Sequence, residues 1–175
     1  MPESRIEGDY VVAVIDSVTD VSPVFESRAR DILADAGIDD PEPSAAYDAA
    51  AFGDAMTEMA DATGQTTVKR AGEQMVAQND AITAQESFVD GFEVLCEQHE
   101  AVHRSFSTEA VGDYRAEQTG DREHRVATYG GYTFPEALAR GVTEGVVKAT
   151  ESPAIVAFDD ATPEPDETHA FVVSW

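Results

Sequence analysis

The sequence predicts an α+β fold in which N-terminal helices are followed by a small C-terminal antiparallel sheet packed with a long helix. Three observations predict it. Apolar residues recur at helical spacing in successive segments between Pro23 and Phe106. Two strand-like runs, Ala154 to Phe158 and Ala170 to Trp175, close the chain. The length of 175 residues suits one domain with a full hydrophobic core, spanning residues 1–175, and no internal repeat divides it.

The first element, Gly8 to Val21, carries Val11, Val12, Val14, Ile15 and Val18, a run that a buried strand and a β-branched helix satisfy equally. A helix then starts at Ser22-Pro23, with Pro in the first turn, Phe25, Ala29, Ile32, Leu33 and Ala36 on its apolar face and Gly37 closing it. Asp39 to Pro43 holds two prolines and three acids and is a loop. A third helix begins near Tyr47, turns Phe52, Met56 and Met59 inward and ends by Gly64. Thr66 or Thr67 opens a fourth, with Val68, Ala71, Met75 and Val76 on its inner side. The long helix is Phe88 to Phe106, whose apolar rows are Phe88, Phe92, Leu95, Val102 and Phe106. His99 falls within that stripe and His103 at its edge. Tyr114 to Tyr132 is polar and turn-rich apart from the alternating Arg125 to Tyr129, which reads as a strand. Phe134 to Thr150 returns to helix, with Gly141 and Gly145 placed for a close approach by another element. Thr162 to Asp166 connects the two last strands.

Asp and Glu outnumber Lys and Arg by 35 to 11, a formal charge of −24. Such a surface repels DNA, RNA and anionic lipid, so neither nucleic acid nor a membrane is expected as a partner. The acids are spread along the chain and Lys occurs only at 69 and 148, a pattern of adaptation to concentrated salt, where repulsion is screened within about 3 Å at 1 M. The single Cys96 rules out an internal disulfide and a cysteine zinc cluster. The start lacks the basic and apolar regions of a signal peptide, and no run approaches the roughly 20 apolar residues of a membrane span. A cytoplasmic protein is expected.

The stretch that carries chemistry is His99-Glu100-Ala101-Val102-His103. Histidines four apart on a helix face the same way, and with a Glu beside them they spell a zinc hydrolase: His99 and His103 as ligands, Glu100 as general base, and Glu123 or His124 downstream as the third ligand. The plainer reading makes both histidines packing residues, with His99 satisfied by a carbonyl or water and His103 half exposed among acids. Cys96, on the same side, reads as a small core residue.

In order and spacing the chain resembles the haem nitric oxide/oxygen binding (H-NOX) domains and their haem-free relatives, the vinyl-reductase-type small-molecule binding domains. The resemblance rests on Ala36-Gly37-Ile38, on Met59 to Gly64 running into Val68 and Ala71-Gly72, on Glu100-Ala101-Val102-His103, and on Tyr129 ahead of Ala139 to Gly145. It implies that His103 stands where these domains place the iron-ligating histidine, with Phe88, Phe92, Leu95 and Met75 or Met56 available to line a pocket. Tyr129 matches the first residue of the Tyr-x-Ser-x-Arg motif that holds the haem propionates. Gly131 and Thr133 occupy its serine and arginine positions, so the hydroxyl and the bidentate guanidinium are both missing unless Arg122, Arg125 or Arg140 replaces the latter.

The resemblance thus implies a sensory or ligand-binding domain, more a binder than an enzyme, with His103, Tyr129, Leu95 and Phe92 as the site and its pocket between the long helix and the C-terminal sheet. Haem held by His103 is one cofactor expectation, zinc on His99 and His103 the alternative, and no cofactor a third. The ligand is a small apolar molecule or a gas, and the signal passes to a protein partner.

Overall fold

The computed structural model describes residues 5–104 and 112–175. Strand β1 (Arg5–Glu7) leads directly into α1 (Gly8–Val21), and a 3-10 turn (Pro23–Phe25) joins it to α2 (Glu26–Asp35). Strand β2 (Ala46–Asp48) pairs antiparallel with β1. Helices α3 (Ala49–Thr63), α4 (Gln65–Ala77), the short α5 (Asp80–Thr83) and the long α6 (Phe88–Arg104) follow. A hairpin of β3 (Asp113–Gly120) and β4 (Glu123–Tyr129), helix α7 (Glu136–Thr150), and strands β5 (Ala157–Asp160) and β6 (Glu167–Ser174) complete the chain. The four-stranded sheet is antiparallel in the order β3-β4-β6-β5.

The α+β plan is as the sequence predicts, with local differences. The β-branched run chooses helix: Val11, Val14, Ile15 and Val18 are buried at spacings of three, one and three, the stripe of a helix packed on one side. The β1–β2 pair comes unannounced, being two three-residue strands with no alternation long enough to read. Strand β3 comes from the segment read as polar and turn-rich. Residues 115–119 are exposed, so only Tyr114 in it carries a core signal. Strand β5 starts at Ala157, later than Ala154, because Ala157 pairs with Ser174 at the very end of β6 and no partner extends further back. Phe106, the expected last member of the long helix's stripe, lies outside the described residues.

Local signals set the helix ends. Asp48 caps α3 by accepting from the Ala51 amide at 2.8 Å, and Asn79 caps α5 through the amides of Ala81 and Ile82. Gly37 and Gly64, at φ 80° and 94°, end α2 and α3 in backbone conformations that a side chain would resist.

Helix α7 is the centre of the molecule, with residues buried on nearly every side. It crosses α4 closely: a Cβ at Gly141 would lie 2.1 Å from the Lys69 carbonyl oxygen, one at Gly72 2.9 Å from the Val142 nitrogen, and one at Gly145 2.8 Å from the Val76 Cβ. The same crossing is tied by a four-member charge lattice. Lys69 donates to Glu144 and lies 3.1 Å from Glu73, while Lys148 lies 2.6 Å from Glu144 and 2.9 Å from Glu73. Burial would raise the Glu144 carboxyl, but hydrogen bonds from Lys148 and Lys69 bring it below its usual range. Among the described residues no helix is long and apolar enough to cross a membrane.

Candidate functional site

The register of α6 brings His99 and His103 one turn apart on one face, ring centroids 4.5 Å from each other. Both are buried, at 7% and 5% exposure, so His103 is not the half-exposed edge residue that the stripe suggests. Phe134 and His99 stand against its ring, and β1 packs on the same helix. Around the pair stands an aromatic group: Tyr114 lies 5.1 Å from His99 edge-on, Tyr132 5.8 Å, and Phe134 6.4 Å from His99 and 6.1 Å from His103. The Tyr114 and Tyr132 hydroxyls hydrogen-bond to each other.

Hydrogen bonds fix both histidine tautomers, because each ring faces a carbonyl, which can only accept. His99 Nε2–H donates to the Gly112 oxygen at 3.0 Å, and His103 Nδ1–H donates to the His99 oxygen at 2.7 Å. His103 Nε2 therefore carries a lone pair. It is shut from water and has no hydrogen-bond partner among the described residues. Burial, then the neighbouring His103, lower the His99 pKa to about 4 against the pull of the Gly112 bond. Burial also lowers that of His103, so both rings are neutral near pH 7.

His103 and His99 stand on the wall of a cavity of about 780 Å³ bounded by α1, α4, α5, α6 and α7. Leu95 and Val102 of α6, Met75 of α4, Ile82 of α5 and Tyr10 of α1 supply apolar wall, and Tyr114 is its contribution from the sheet. The expected position between the long helix and the sheet is thus corrected to the helical side of α6. The sheet side is filled by rings: Phe92 packs edge-on to Tyr114 at 6.1 Å, and Phe88 lies 5.3 Å from Phe92 and 5.0 Å from Trp175. Gln78, Asn79, Gln98, Glu7 and Asp80 provide the polar lining, with Asn79 Nδ2 donating to Gln98 Oε1 at 2.6 Å. Among the described residues that line the cavity, none is Lys or Arg.

Of the residues singled out from sequence, His103, His99, Leu95 and Met75 meet at this cavity. Phe92, Phe88, Met56, Glu100 and Tyr129 are not among its lining residues. Tyr129 instead joins a cluster on the sheet. Its hydroxyl donates to Glu167 at 2.8 Å, Arg125 makes two 2.6 Å bonds to the same carboxylate, and Arg115 sits 4.0 Å over the Tyr129 ring. The bonds from Arg125 hold the Glu167 carboxyl down at about 2. Arg140 is bound to Glu136 and Asp160, so Arg125 and Arg140 are both committed away from the cavity. His124, one of the proposed third zinc ligands, stacks on Trp175 at 5.5 Å. Among the described residues no group of three His, Cys, Asp or Glu side chains converges as a metal site. Cys96 points its sulfur at the Tyr114 carbonyl, 3.7 Å away, and burial pushes the thiol up to about 12, well away from a reactive thiolate.

Sequence reasoning missed Tyr10, Asn79 and Gln98 as wall residues. Tyr10 had a signal, a large polar-tipped ring inside an otherwise β-branched run. Asn79 and Gln98 had none, since their 2.6 Å bond depends on how α5 and α6 pack.

The arrangement of N-terminal helices, a long helix and a four-stranded antiparallel sheet is that of an H-NOX-like fold. A crystal structure of an oxygen-binding H-NOX domain related to soluble guanylate cyclases superposes with a TM-score of 0.68 at 13% identity, covering 97% of this chain and 94% of that one. A mutant H-NOX domain of T. tengcongensis gives 0.69 at 12% identity, covering 97% of both chains. A structure from work on H-NOX activation gives 0.64 at 12% identity over 99% of this chain and 96% of its own. Comparison with protein-family models gives no match, and neither does comparison with curated protein sequences. The chain has a diverged H-NOX-like fold.

Haem, which that fold suggests, meets a divided site. The lone pair on His103 Nε2, with Nδ1–H anchored to a carbonyl, is the arrangement of a metal-ligating imidazole. The two carboxylates of haem do not fit the described wall, since Glu7 and Asp80 line it and no Lys or Arg among the described lining residues is there to pair them.

Proposed function

We propose that the chain is a cytoplasmic, haem-free sensory domain that takes a small apolar molecule into the cavity beside His103 and passes the event to a protein partner. The observation that carries this reading is the cavity itself: apolar and aromatic walls, a few convergent polar groups and a buried histidine of lowered pKa, which together are the usual marks of a ligand site. Helix α6 is one wall of the cavity and packs on both α7 and β3, so a ligand that favours one packing of α6 shifts the population the partner reads.

A second reading, a haem gas sensor with His103 as iron ligand, is favoured by the unpartnered Nε2 alone. Against it weighs the wall, where no Lys or Arg stands among the described lining residues.

The test is a thermal-shift titration with naphthalene. At a hundredfold excess over Kd it raises Tm by about 5 °C or more, and Ala13→Trp, which fills the mouth from an exposed position of α1, abolishes the rise. Haemin added to the same protein is expected to give no absorbance band at the blue edge of the visible that depends on His103. A band lost in His103→Ala would move the assignment to the haem sensor.

A further inference from the structure

The assignment of a ligand cavity leaves open what the ligand must carry. His103 Nε2 narrows it. A buried acceptor without a partner costs about 1–3 kcal/mol, and native proteins keep very few. Here the unpaired atom belongs to a wall residue of the cavity, and its chemistry is fixed: with Nδ1–H donating to the His99 carbonyl at 2.7 Å, Nε2 can accept and cannot donate. Reversing the tautomer would surrender that bond and face two lone pairs at one another.

The surroundings decide the rest. His99 at 4.5 Å and Phe134 at 6.1 Å enclose the His103 ring, and Tyr114 and Tyr10 continue the aromatic wall. Among these rings a full charge has no partner and its desolvation is unfavourable. A carboxylate would in addition meet Glu7 and Asp80. Burial alone pushes the Tyr10 hydroxyl up, so it also stays uncharged.

Resting on the reading that this cavity binds a ligand, we propose that the ligand is an uncharged, apolar molecule bearing an N–H or O–H donor, which His103 Nε2 receives. The nitrogen is closed to water in the free wall, so seating the donor moves the His103 ring or its neighbours. The ring is bonded to the α6 backbone at His99, which couples that movement to the helix.

Indole and 1-methylindole differ chiefly by the N–H and are the probes. Indole is expected to bind the full chain about tenfold more tightly, a preference that collapses to near unity in His103→Phe and returns in part in His103→Gln, whose amide oxygen accepts. In the unmutated protein, nitrogen NMR of the histidine rings should show the His103 Nε2 resonance moving upfield with indole and not with 1-methylindole, a readout that does not depend on any variant folding. Equal binding of the two indoles, or a preference that persists in His103→Phe, overturns the proposal. Naphthalene separates the levels. If it binds and neither indole does, the donor assignment fails while the cavity reading stands, and if none of the three binds, both fail.

Discussion

His99 shows how a buried imidazole records its surroundings as pH dependence. Burial and the adjacent His103 bring its pKa from the ordinary 6.5 to about 4 in the folded protein. The unfolded chain therefore takes up this proton at higher pH than the folded one does. Stability is full above pH 6.5 and is lost as the pH falls towards 4, by about 3 kcal/mol at most from this residue. His103 titrates in the same direction and adds to the slope. In His99→Gln the amide can still donate to the Gly112 carbonyl but has no proton to gain. Denaturant melts from pH 6.5 to 4 should show a shallower loss of stability in that variant than in the unmutated protein, and matching slopes would remove His99 as the cause. The sequence made the two histidines visible and placed them on one helix. Their equal burial was not legible there, because the rings that stand around them, Tyr114, Tyr132 and Phe134, come from later in the chain and meet them only in the fold.

At the scale of elements, the α4–α7 crossing holds the cavity's rear wall, since Met75, Val76 and Val142 come from these two helices. The spacing of Gly141 and Gly145 signalled a close approach, and the structure supplies the neighbour: the Lys69 carbonyl stands 2.1 Å from where a Gly141 Cβ would be. A backbone atom cannot step aside as a flexible side chain can, so Gly141→Ala must spread the helices. The expected cost is about 3 kcal/mol or more, a fall in Tm of roughly 6–12 °C for a domain of this size. A Tm within 2 °C of the unmutated protein would mean that the crossing yields more easily than its geometry implies. Helices of this kind were legible because stripe, cap and stop signals agree along α2, α3, α4 and α7. Strand β3 was not, because five of its eight residues face water and its pairing is specified by β4 across the hairpin. The cavity's position was misjudged for a related reason. Phe88 and Phe92 look like pocket walls in one dimension, but they meet Tyr114 and Trp175 and fill the sheet side of α6.

Over the whole molecule, 24 net negative charges repel one another, while the only two lysines in the chain are both spent on one helix crossing, against Glu73 and Glu144. These two electrostatic terms respond differently to salt. Repulsion acts between carboxylates spread over the surface, most of them further apart than the roughly 3 Å screening length at 1 M, and is largely removed there. The lysine contacts of 2.6–3.1 Å are within that length, and the Glu144 side chain is only 10% exposed, so they are weakened less. The balance favours the folded state as salt rises. Tm should therefore climb steadily between 0.1 and 2 M KCl, while sucrose at matched water activity reproduces only part of the gain. In Lys148→Met, which removes one arm of the lattice, the curve should lie lower throughout and rise at least as steeply, since the variant is one charge more negative. A Tm that is flat or falls with KCl would show that the acidic surface is not the main burden on this fold, and would remove the physical basis for reading its composition as adaptation to concentrated salt.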